Sequence, residues 1–263
     1  MTNKVLPLQS GIIYGPVNSK RLGRSLGINL LSTTKKICSF NCIYCHYGPT
    51  HELTCTPDAY ELPSVSNIIQ EIRLALQSSP NIDYLTFSGN GEPMIYPFFA
   101  EVVSEIQKLR DEFCPKVPIA LLSNASCLAK DLFLSSLQLI NVRIFKLDTA
   151  DEVLFKKINR PYPDIKLADI INGLIKLSRK LPIVLQTIFM EGNVDNTTPE
   201  ALEKWLTAVK EIRPQEIQIY STDRPVAEQG IIMVSDQKLQ ELAIFITQRT
   251  GIKTRPYFAR LVR

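Results

Sequence analysis

The chain has 263 residues, of which 45% are hydrophobic and 21% are charged, and its formal net charge is +4. This length suits one large α/β domain, and the composition excludes extended disorder. No apolar run approaches the ~20 residues of a spanning helix, and the N-terminal stretch lacks the apolar core of a signal peptide. We therefore expect a soluble cytoplasmic protein without a membrane partner. Because the cytosol keeps thiols reduced, the six cysteines favour metal or redox chemistry over disulfides.

Short apolar, β-branched runs alternate with longer helical patterns from residue 25 onward. The predicted strands are 25–31, 84–88, 118–123, 142–148, 183–189 and 216–220. The predicted helices are 64–78, 97–113, 130–139, 151–158, 165–180, 199–211 and 235–249. Continuous apolar strands joined by helices are typical of parallel strands that are buried on both faces. Six such units predict an α/β fold with an open, partial (βα)6 TIM-like barrel, whose functional loops follow the strand carboxyl ends.

This pattern also predicts how the chain is divided. Residues 1–24 form an N-terminal extension, residues 25–225 form the partial barrel, and residues 226–263 form a helix and a basic tail that pack on it. Basic residues cluster at Lys20, Arg21, Arg24, Lys35 and Lys36 and again in the tail at Lys253, Arg255, Arg260 and Arg263. Such clusters suit a solvated face or a surface that contacts phosphates.

Three cysteines, Cys38, Cys42 and Cys45, lie in a C-x3-C-x2-C stretch between the first predicted strand and the first predicted helix. Thiolates are soft ligands that suit zinc or an iron–sulfur cluster. A structural zinc site normally has four ligands, so the fourth would have to be a residue such as His46 or His51. The spacing alone leaves both kinds of centre open.

Polar or glycine-rich segments follow the carboxyl ends of several predicted strands. The run SGNGEP, residues 88–93, follows the second strand, and glycines there would let a ligand approach backbone carbonyls that can accept hydrogen bonds from an ammonium group. Further polar candidates at the third, fourth and fifth strands are Ser123, Asn124, Lys146, Asp148 and Gln186. Their recurrence at one end of the sheet favours a binding site, although each could also cap a helix.

The cysteine spacing and the G-N-G-E-P run together resemble the radical S-adenosylmethionine (radical SAM) superfamily. The resemblance implies that Cys38, Cys42 and Cys45 are the catalytic cysteines, which hold a [4Fe–4S] cluster and leave one iron open for S-adenosylmethionine. Reductive cleavage would then give a 5′-deoxyadenosyl radical that abstracts hydrogen from a substrate. A reduced flavodoxin or ferredoxin-like protein is the implied electron donor.

The same resemblance implies roles for individual residues. Tyr44 lies where these enzymes carry an aromatic residue that contacts the adenine. Gly91, Glu92 and Pro93 match the GGEP motif that binds the methionine amino group, with Asn90 in place of its first glycine. The other cofactor-binding candidates, at later strand ends, are Ser123, Asn124, Asp148 and Gln186.

Three longer segments narrow the resemblance: GPVNSKRLGRSLGINLL, INRPYP at 158–163 and YSTDRP at 220–225. They resemble the iron–sulfur oxidoreductases related to wyosine-type tRNA tricyclic-base synthases. Those tRNA enzymes carry a second cluster on N-terminal cysteines, whereas this chain has no cysteine before Cys38. Arg160, Asp223 and Arg224 are the substrate-side candidates from these segments.

The sequence leaves three classes of substrate open. A tRNA or other RNA base as the substrate fits the basic clusters. A peptide or protein as the substrate, which includes the reaction of a glycyl-radical activase, fits the compact chain. A small molecule is the third option. A non-catalytic zinc-binding module is the alternative from another class. We interpret Cys55, Cys114 and Cys127 as buried or surface thiols, although Cys127 could face the substrate.

Overall fold

A computed structural model describes residues 5–78, 81–128, 133–222, 226 and 228–258. The strands are β1 (Ile13–Ser19), β2 (Gly23–Ile28), β3 (Ile37–Cys38), β4 (Glu52–Leu53), β5 (Tyr84–Phe87), β6 (Ile119–Ser123), β7 (Val142–Lys146), β8 (Val184–Ile188), β9 (Met190–Gly192), β10 (Glu216–Tyr220), β11 (Ile231–Met233) and β12 (Thr254–Tyr257). The α-helices are α1 (Val65–Gln77), α2 (Phe99–Phe113), α3 (Leu134–Gln138), α4 (Glu152–Ile158), α5 (Leu167–Ser178), α6 (Pro199–Ile212) and α7 (Asp236–Thr250).

Eight strands form one sheet in the order β1-β2-β5-β6-β7-β8-β10-β12. The pairs β2–β5, β5–β6, β8–β10 and β10–β12 are parallel, whereas β1 runs antiparallel to β2. The six predicted strands correspond to β2, β5, β6, β7, β8 and β10, with ends that differ by a few residues. The alternation of buried strands and helices expected from the sequence is therefore present.

Two strands of this sheet lie in segments for which no strand was predicted, and the short strands outside it, β3, β4, β9 and β11, were not predicted either. β1 lies within the predicted N-terminal extension, and β12 lies within the predicted basic tail. Both are at the ends of the sheet order. Strands at sheet edges tolerate proline and charged residues, which weaken the apolar pattern by which a strand is recognised.

The chain divides into two compact units. We call Leu8–Ser39 with Thr50–Ile144 the N-terminal unit, and Met1–Pro7 with Phe40–Pro49 and Phe145–Arg263 the C-terminal unit. The boundary falls inside the cysteine motif, so that Cys38 belongs to the N-terminal unit and the other two cysteines belong to the C-terminal unit.

The N-terminal unit buries the apolar residues of β5 and β6 together with one face of α1 and of α2. On α1 this face consists of Ile68, Ile72 and Leu76, which recur at intervals of four residues and are buried. Ser64 begins the helix by accepting a hydrogen bond from the backbone N–H of Asn67. The amphipathic helix predicted at 64–78 is thus confirmed.

The C-terminal unit is built on β8, β10 and β12, with α6 and α7 connecting the later strands. α6 begins with Thr198 as its N-cap, and it buries Trp205, whose indole N–H donates to the carbonyl of Leu147 at 2.9 Å. α7 ends at Gly251, whose φ of 72° is a left-handed conformation that glycine adopts without strain. No helix among the described residues is long and apolar enough to cross a membrane.

Candidate functional site

Cys38 ends the short strand β3 in the N-terminal unit and is buried. Its carbonyl accepts a hydrogen bond from the backbone N–H of Thr54, the residue after β4, and β4 pairs with β3. The side-chain amide of Asn124 lies 3.9 Å from the Cys38 sulfur and also donates to the hydroxyl of Ser39 at 2.9 Å. The first cysteine therefore lies beside the loop that follows β6, where the sequence predicted polar ligands.

Glu92 connects the loop after β5 to the loop after β6. Its carboxylate is buried and accepts three hydrogen bonds, from the N–H of Met94 at 3.0 Å, the hydroxyl of Ser123 at 2.9 Å and the N–H of Asn124 at 2.6 Å. Burial raises the pKa of Glu92 to about 7, although the three donors lower it. The geometry makes Glu92 a brace between two loops, and Pro93 begins a buried helical turn immediately after it.

Gly91 is needed for the close packing of this loop against the cysteine segment. A Cβ atom at this position would lie 1.7 Å from the carbonyl oxygen of Ile37, one residue before Cys38. Asn90, which replaces the first glycine of the family motif, is buried and pairs its side chain with the backbone of Gln9 through two 2.8 Å hydrogen bonds. Asn90, the residue that departs from the motif, therefore hydrogen-bonds the N-terminal segment to the loop.

In the C-terminal unit, Cys42 and Cys45 lie on consecutive tight turns. The N–H of Cys45 donates to the carbonyl of Cys42, and the N–H of Gly48 donates to the carbonyl of Cys45, both at 3.1 Å. The segment is held to the end of α4 because Ile43 donates its N–H to the carbonyl of Ile158. Both thiols are half-buried.

Tyr44 is buried between these cysteines and forms a charged hydrogen-bond network. Its hydroxyl donates to Asp148 Oδ2 at 2.5 Å, and the backbone N–H of Ile188 donates to Asp148 Oδ1 at 3.1 Å. Lys146 pairs with Asp148 Oδ1 at 3.2 Å and donates to the hydroxyl of Tyr220 at 2.7 Å. The Lys146 ammonium lies 4.8 Å from the ring centroids of both tyrosines.

The electrostatics of this network follow from its burial. Desolvation and the Asp148 carboxylate hold the pKa of the Tyr44 phenol well above its ordinary value. Desolvation lowers the pKa of Lys146 more than any single neighbour raises it, but Asp148, Tyr220 and Cys42 together outweigh desolvation and the net pKa is raised. Tyr44 is thus a neutral donor and Lys146 a permanent cation at neutral pH.

Sequence reasoning missed Asn159, the residue that ends α4. Its buried side-chain amide donates to Asp148 Oδ2 at 2.9 Å and lies 3.3 Å from the Tyr44 hydroxyl and 3.7 Å from the Cys42 sulfur. Asn159 is the second residue of the INRPYP segment, from which only Arg160 was chosen. A polar residue directly after an apolar helical face was the signal that could have identified it.

The remaining predicted residues have other neighbours. The Gln186 amide lies 3.5 Å from Gln218 on the adjacent strand, and Arg160 forms an ion pair with Glu228 at 2.5 Å. Asp223 and Arg224 lie outside the described residues.

The two histidines and the other three cysteines also have defined positions. His51 accepts a hydrogen bond from the backbone N–H of Lys36 through Nδ1, while the His46 carbonyl accepts from Leu6. Cys127 lies beside the Ser126 hydroxyl, Cys55 is half-buried, and burial raises the pKa of Cys114 at the end of α2.

The donor set fits an iron–sulfur cluster. All six cysteines are thiols, and two of the three motif sulfurs have an amide N–H within 4 Å, a contact that suits a thiolate ligand. Within the described ranges, no group of three or more His, Cys, Asp and Glu side chains is gathered as a metal site. The assignment of the three cysteines as ligands therefore comes from their spacing and chemistry.

Two relatives are similar over most of this chain. A protein named GTPase Obg from Brachyspira hyodysenteriae is 32% identical over 248 residues, which cover 94% of this chain and 35% of that protein. A UPF0026 protein from Methanocaldococcus jannaschii is 32% identical over 224 residues, which cover 84% of this chain and 66% of that protein. The chain thus spans about a third and about two thirds of their lengths. It contains no G-x-x-x-x-G-K-S/T phosphate-binding motif of the kind many GTPases carry.

Solved structures confirm the predicted fold class. A radical SAM methyltransferase from Sphaerobacter thermophilus superposes with a TM-score of 0.64 and 12% identity, over 90% of this chain and 66% of that one. A structure of TYW1 with a lysine-pyruvate adduct gives a TM-score of 0.57 and 15% identity, over 86% of this chain and 73% of that one. The α/β fold is therefore the partial barrel of these enzymes.

The profile of the Radical SAM superfamily matches residues 33–205, a range that includes the three motif cysteines, the G-N-G-E-P run, Asp148 and Asn159. This match covers more than half of the chain, and it agrees with the fold and with the resemblance carried by the cysteine spacing. The chain belongs to the radical SAM superfamily.

Proposed function

We propose that Cys38, Cys42 and Cys45 hold a [4Fe–4S] cluster and that the chain cleaves S-adenosylmethionine reductively to start hydrogen abstraction from a substrate. The observation that carries the proposal is the C-x3-C-x2-C spacing inside the region that matches the superfamily. When bound, the cluster supplies the electron that cleaves the sulfur–carbon bond of S-adenosylmethionine. The electron comes from a reduced flavodoxin or ferredoxin-like donor.

The protein's part is to bind and orient the cofactor. The loop at Gly91 offers backbone carbonyls to the methionine amino group, and its packing against Ile37 keeps it next to Cys38. Ser123 and Asn124 lie on the adjoining loop and are held to it through Glu92. These contacts support a methionine-binding region at the ends of β5 and β6.

The adenosine half of S-adenosylmethionine would contact the other set of candidates. Tyr44 offers an adenine contact, and Gln186 lies at a buried position on β8. Both oxygens of Asp148 accept hydrogen bonds from protein donors. This favours a role for Asp148 in holding Tyr44 and Asn159 in position over direct binding of the cofactor.

Anaerobic reconstitution with iron and sulfide tests this function. The wild-type chain should contain about four irons and four sulfides and absorb broadly in the visible region. Alanine at Cys38, Cys42 or Cys45 should abolish both cluster and cleavage, whereas Cys114→Ala, a matched thiol outside the motif, should retain both. Zinc in the purified protein, or a cluster retained by a motif variant, would contradict the proposal and favour the zinc-binding alternative.

We propose an RNA base as the substrate class. The observation that favours it is the turn between β1 and β2, which carries Lys20 and Arg21 and is followed by Arg24 at the start of β2. The Ser19 hydroxyl accepts the N–H groups of Arg21 and Leu22, and the Asp83 carboxylate accepts the N–H of Arg24. These contacts hold the basic turn in a defined conformation that suits phosphate contacts.

Binding of transfer RNA measured over a range of salt concentrations tests this substrate class. The logarithm of the binding constant should fall linearly with the logarithm of the salt concentration. The line should become less steep when the three basic residues are replaced by glutamine. A chain that binds a peptide instead, with no salt-dependent RNA binding, would contradict the proposal.

A further inference from the structure

Two asparagines stand in the same relation to two of the motif cysteines, one in each unit. In the N-terminal unit Asn124 Nδ2 lies 3.9 Å from the Cys38 sulfur, and in the C-terminal unit Asn159 Nδ2 lies 3.7 Å from the Cys42 sulfur. Sulfur is a large, diffuse acceptor, so these distances are within hydrogen-bond range. The residues in these contacts are 86 and 117 positions apart in the sequence, so tertiary packing brings them together.

Both amides are fixed with a nitrogen toward the sulfur. Asn124 donates to the Ser39 hydroxyl at 2.9 Å, and its oxygen accepts the N–H of Ser126 at 2.9 Å, which excludes the flipped orientation. Asn159 Nδ2 donates to Asp148 Oδ2 at 2.9 Å, an oxygen that also accepts from the Tyr44 hydroxyl. The Asn124 nitrogen thus has one oxygen partner, and the Cys38 sulfur is its second acceptor in reach. The Asn159 nitrogen has two oxygen partners, Asp148 Oδ2 and the Tyr44 hydroxyl at 3.3 Å, which lie 2.5 Å from each other, and the Cys42 sulfur is its further acceptor in reach.

The backbone next to each asparagine has an uncommon conformation. Ala125 has a φ of 67° and Arg160 has a φ of 43°, so each asparagine is followed directly by a non-glycine residue in the left-handed region. Such residues typically cost about 1–3 kcal/mol and are concentrated at functional sites. Strain of this kind is consistent with a backbone that is shaped to aim the preceding side chain.

We infer that Asn124 and Asn159 donate hydrogen bonds to the Cys38 and Cys42 thiolates and thereby make the cluster easier to reduce. Reduction adds negative charge that is shared with the sulfur ligands. A donor aimed at these sulfurs stabilises the reduced state more than the oxidised state, and hydrogen bonds to the sulfurs are one of the factors that set cluster potentials. The inference rests on the cluster of the proposed function and assigns to it two positioning residues.

A potentiometric titration of the reconstituted full-length chain, followed by EPR without S-adenosylmethionine, tests the inference. Asn124→Ala and Asn159→Ala should each shift the midpoint to a more negative potential. At a fixed potential, the ratio of reduced to oxidised cluster should fall on the order of threefold to tenfold. Asn67→Ala, an exposed asparagine of α1, should leave the midpoint unchanged.

The outcomes separate this inference from the proposed function. A wild-type chain that holds no iron would contradict the cluster itself, whereas full clusters with unchanged midpoints in both variants would overturn only the roles of the asparagines. A second measurement, pulsed EPR of the wild-type chain, does not depend on whether the variants fold. With nitrogen-15 asparagine, pulsed EPR of the reduced cluster should show an amide nitrogen coupling, and its absence would overturn the inference.

Discussion

The Glu92 carboxylate accepts a 2.6 Å hydrogen bond from the backbone N–H of Asn124, which joins the loop after β5 to the loop after β6. Asn124 also lies beside the sulfur of Cys38, the first motif cysteine. A buried acid thus fixes the backbone of the residue that contacts a proposed cluster ligand. The motif residue Glu92 acts in this chain through the loops that it connects.

Folding stability should depend on pH through Glu92. Burial raises its pKa from an ordinary value of 4.5 to about 7, so the folded chain binds the proton more tightly than the unfolded chain. The resulting stabilisation is complete below about pH 4.5 and is lost as the pH rises through about 7, a change of about 3 kcal/mol. Urea unfolding at a series of pH values measures it.

Glu92→Gln should remove this contribution, so the stability of the variant relative to wild type should increase by about 3 kcal/mol between acidic and mildly alkaline pH. Glu71→Gln, an exposed acid of α1, is the matched control and should follow the wild-type curve. Parallel curves for wild type and Glu92→Gln would show that Glu92 does not titrate in this range.

Gly91→Ala should destabilise the chain through overpacking. The new Cβ would meet the Ile37 carbonyl oxygen at 1.7 Å, and a backbone atom cannot move aside as a flexible side chain does. We expect a loss of about 3 kcal/mol in the free energy of unfolding, together with a lower iron content after reconstitution.

Gly251→Ala is the control for Gly91→Ala because nothing lies within 4 Å of its Cβ position and only its φ of 72° is unfavourable. It should lose about 1 kcal/mol and bind iron normally. Equal losses for the two variants would rule out the steric explanation.

Lys146→Met should lower the free energy of unfolding because it leaves the buried Asp148 carboxylate without its cation. Asp148 has no exposed side-chain surface and Lys146 has 18%. Removal of one partner of a buried pair costs about 3 kcal/mol, whereas Lys156→Met, which breaks the exposed pair with Glu152, should cost about 0.5 kcal/mol. Thermal or urea unfolding compares them, and similar small losses for both would contradict the role of Lys146.

Asn90→Gly should release the N-terminal segment although it restores the family's glycine. The variant loses both 2.8 Å hydrogen bonds to the backbone of Gln9. We expect a loss of about 2 kcal/mol and faster amide hydrogen exchange at Gln9. Unchanged exchange at this amide would show that the Asn90 side chain does not hold the segment.

The central strands and the motif could be predicted because their signals are local. β10 has the predicted bounds because isoleucines alternate with polar residues in EIQIY and the run lies between polar segments, and the three motif cysteines lie within eight positions. β1 and β12 were missed because Pro16 and Pro256 interrupt their patterns, which sheet edges tolerate. Hydrogen-bond partners that lie far apart in the sequence could not be predicted, for a different reason.

Asn159 illustrates that reason. It contacts Tyr44 and Cys42, more than a hundred positions away. Its place directly after an apolar helical face marks it as a candidate, but the sequence does not show which residues it contacts. Likewise, Asp148 was predicted as a polar residue after a strand, but its partners depend on three separate segments of the chain. Residue types at strand ends can be read from sequence, whereas the hydrogen bonds they make are set by tertiary packing.

The formation of 5′-deoxyadenosine tests the central claim most directly. The reconstituted chain is reduced anaerobically in the presence of S-adenosylmethionine, and the product is quantified by chromatography for the wild type and for the three motif-cysteine variants. We predict 5′-deoxyadenosine from the wild type and none from Cys38→Ala, Cys42→Ala or Cys45→Ala. A wild-type chain that carries its full complement of iron and sulfide yet yields no 5′-deoxyadenosine would contradict the claim.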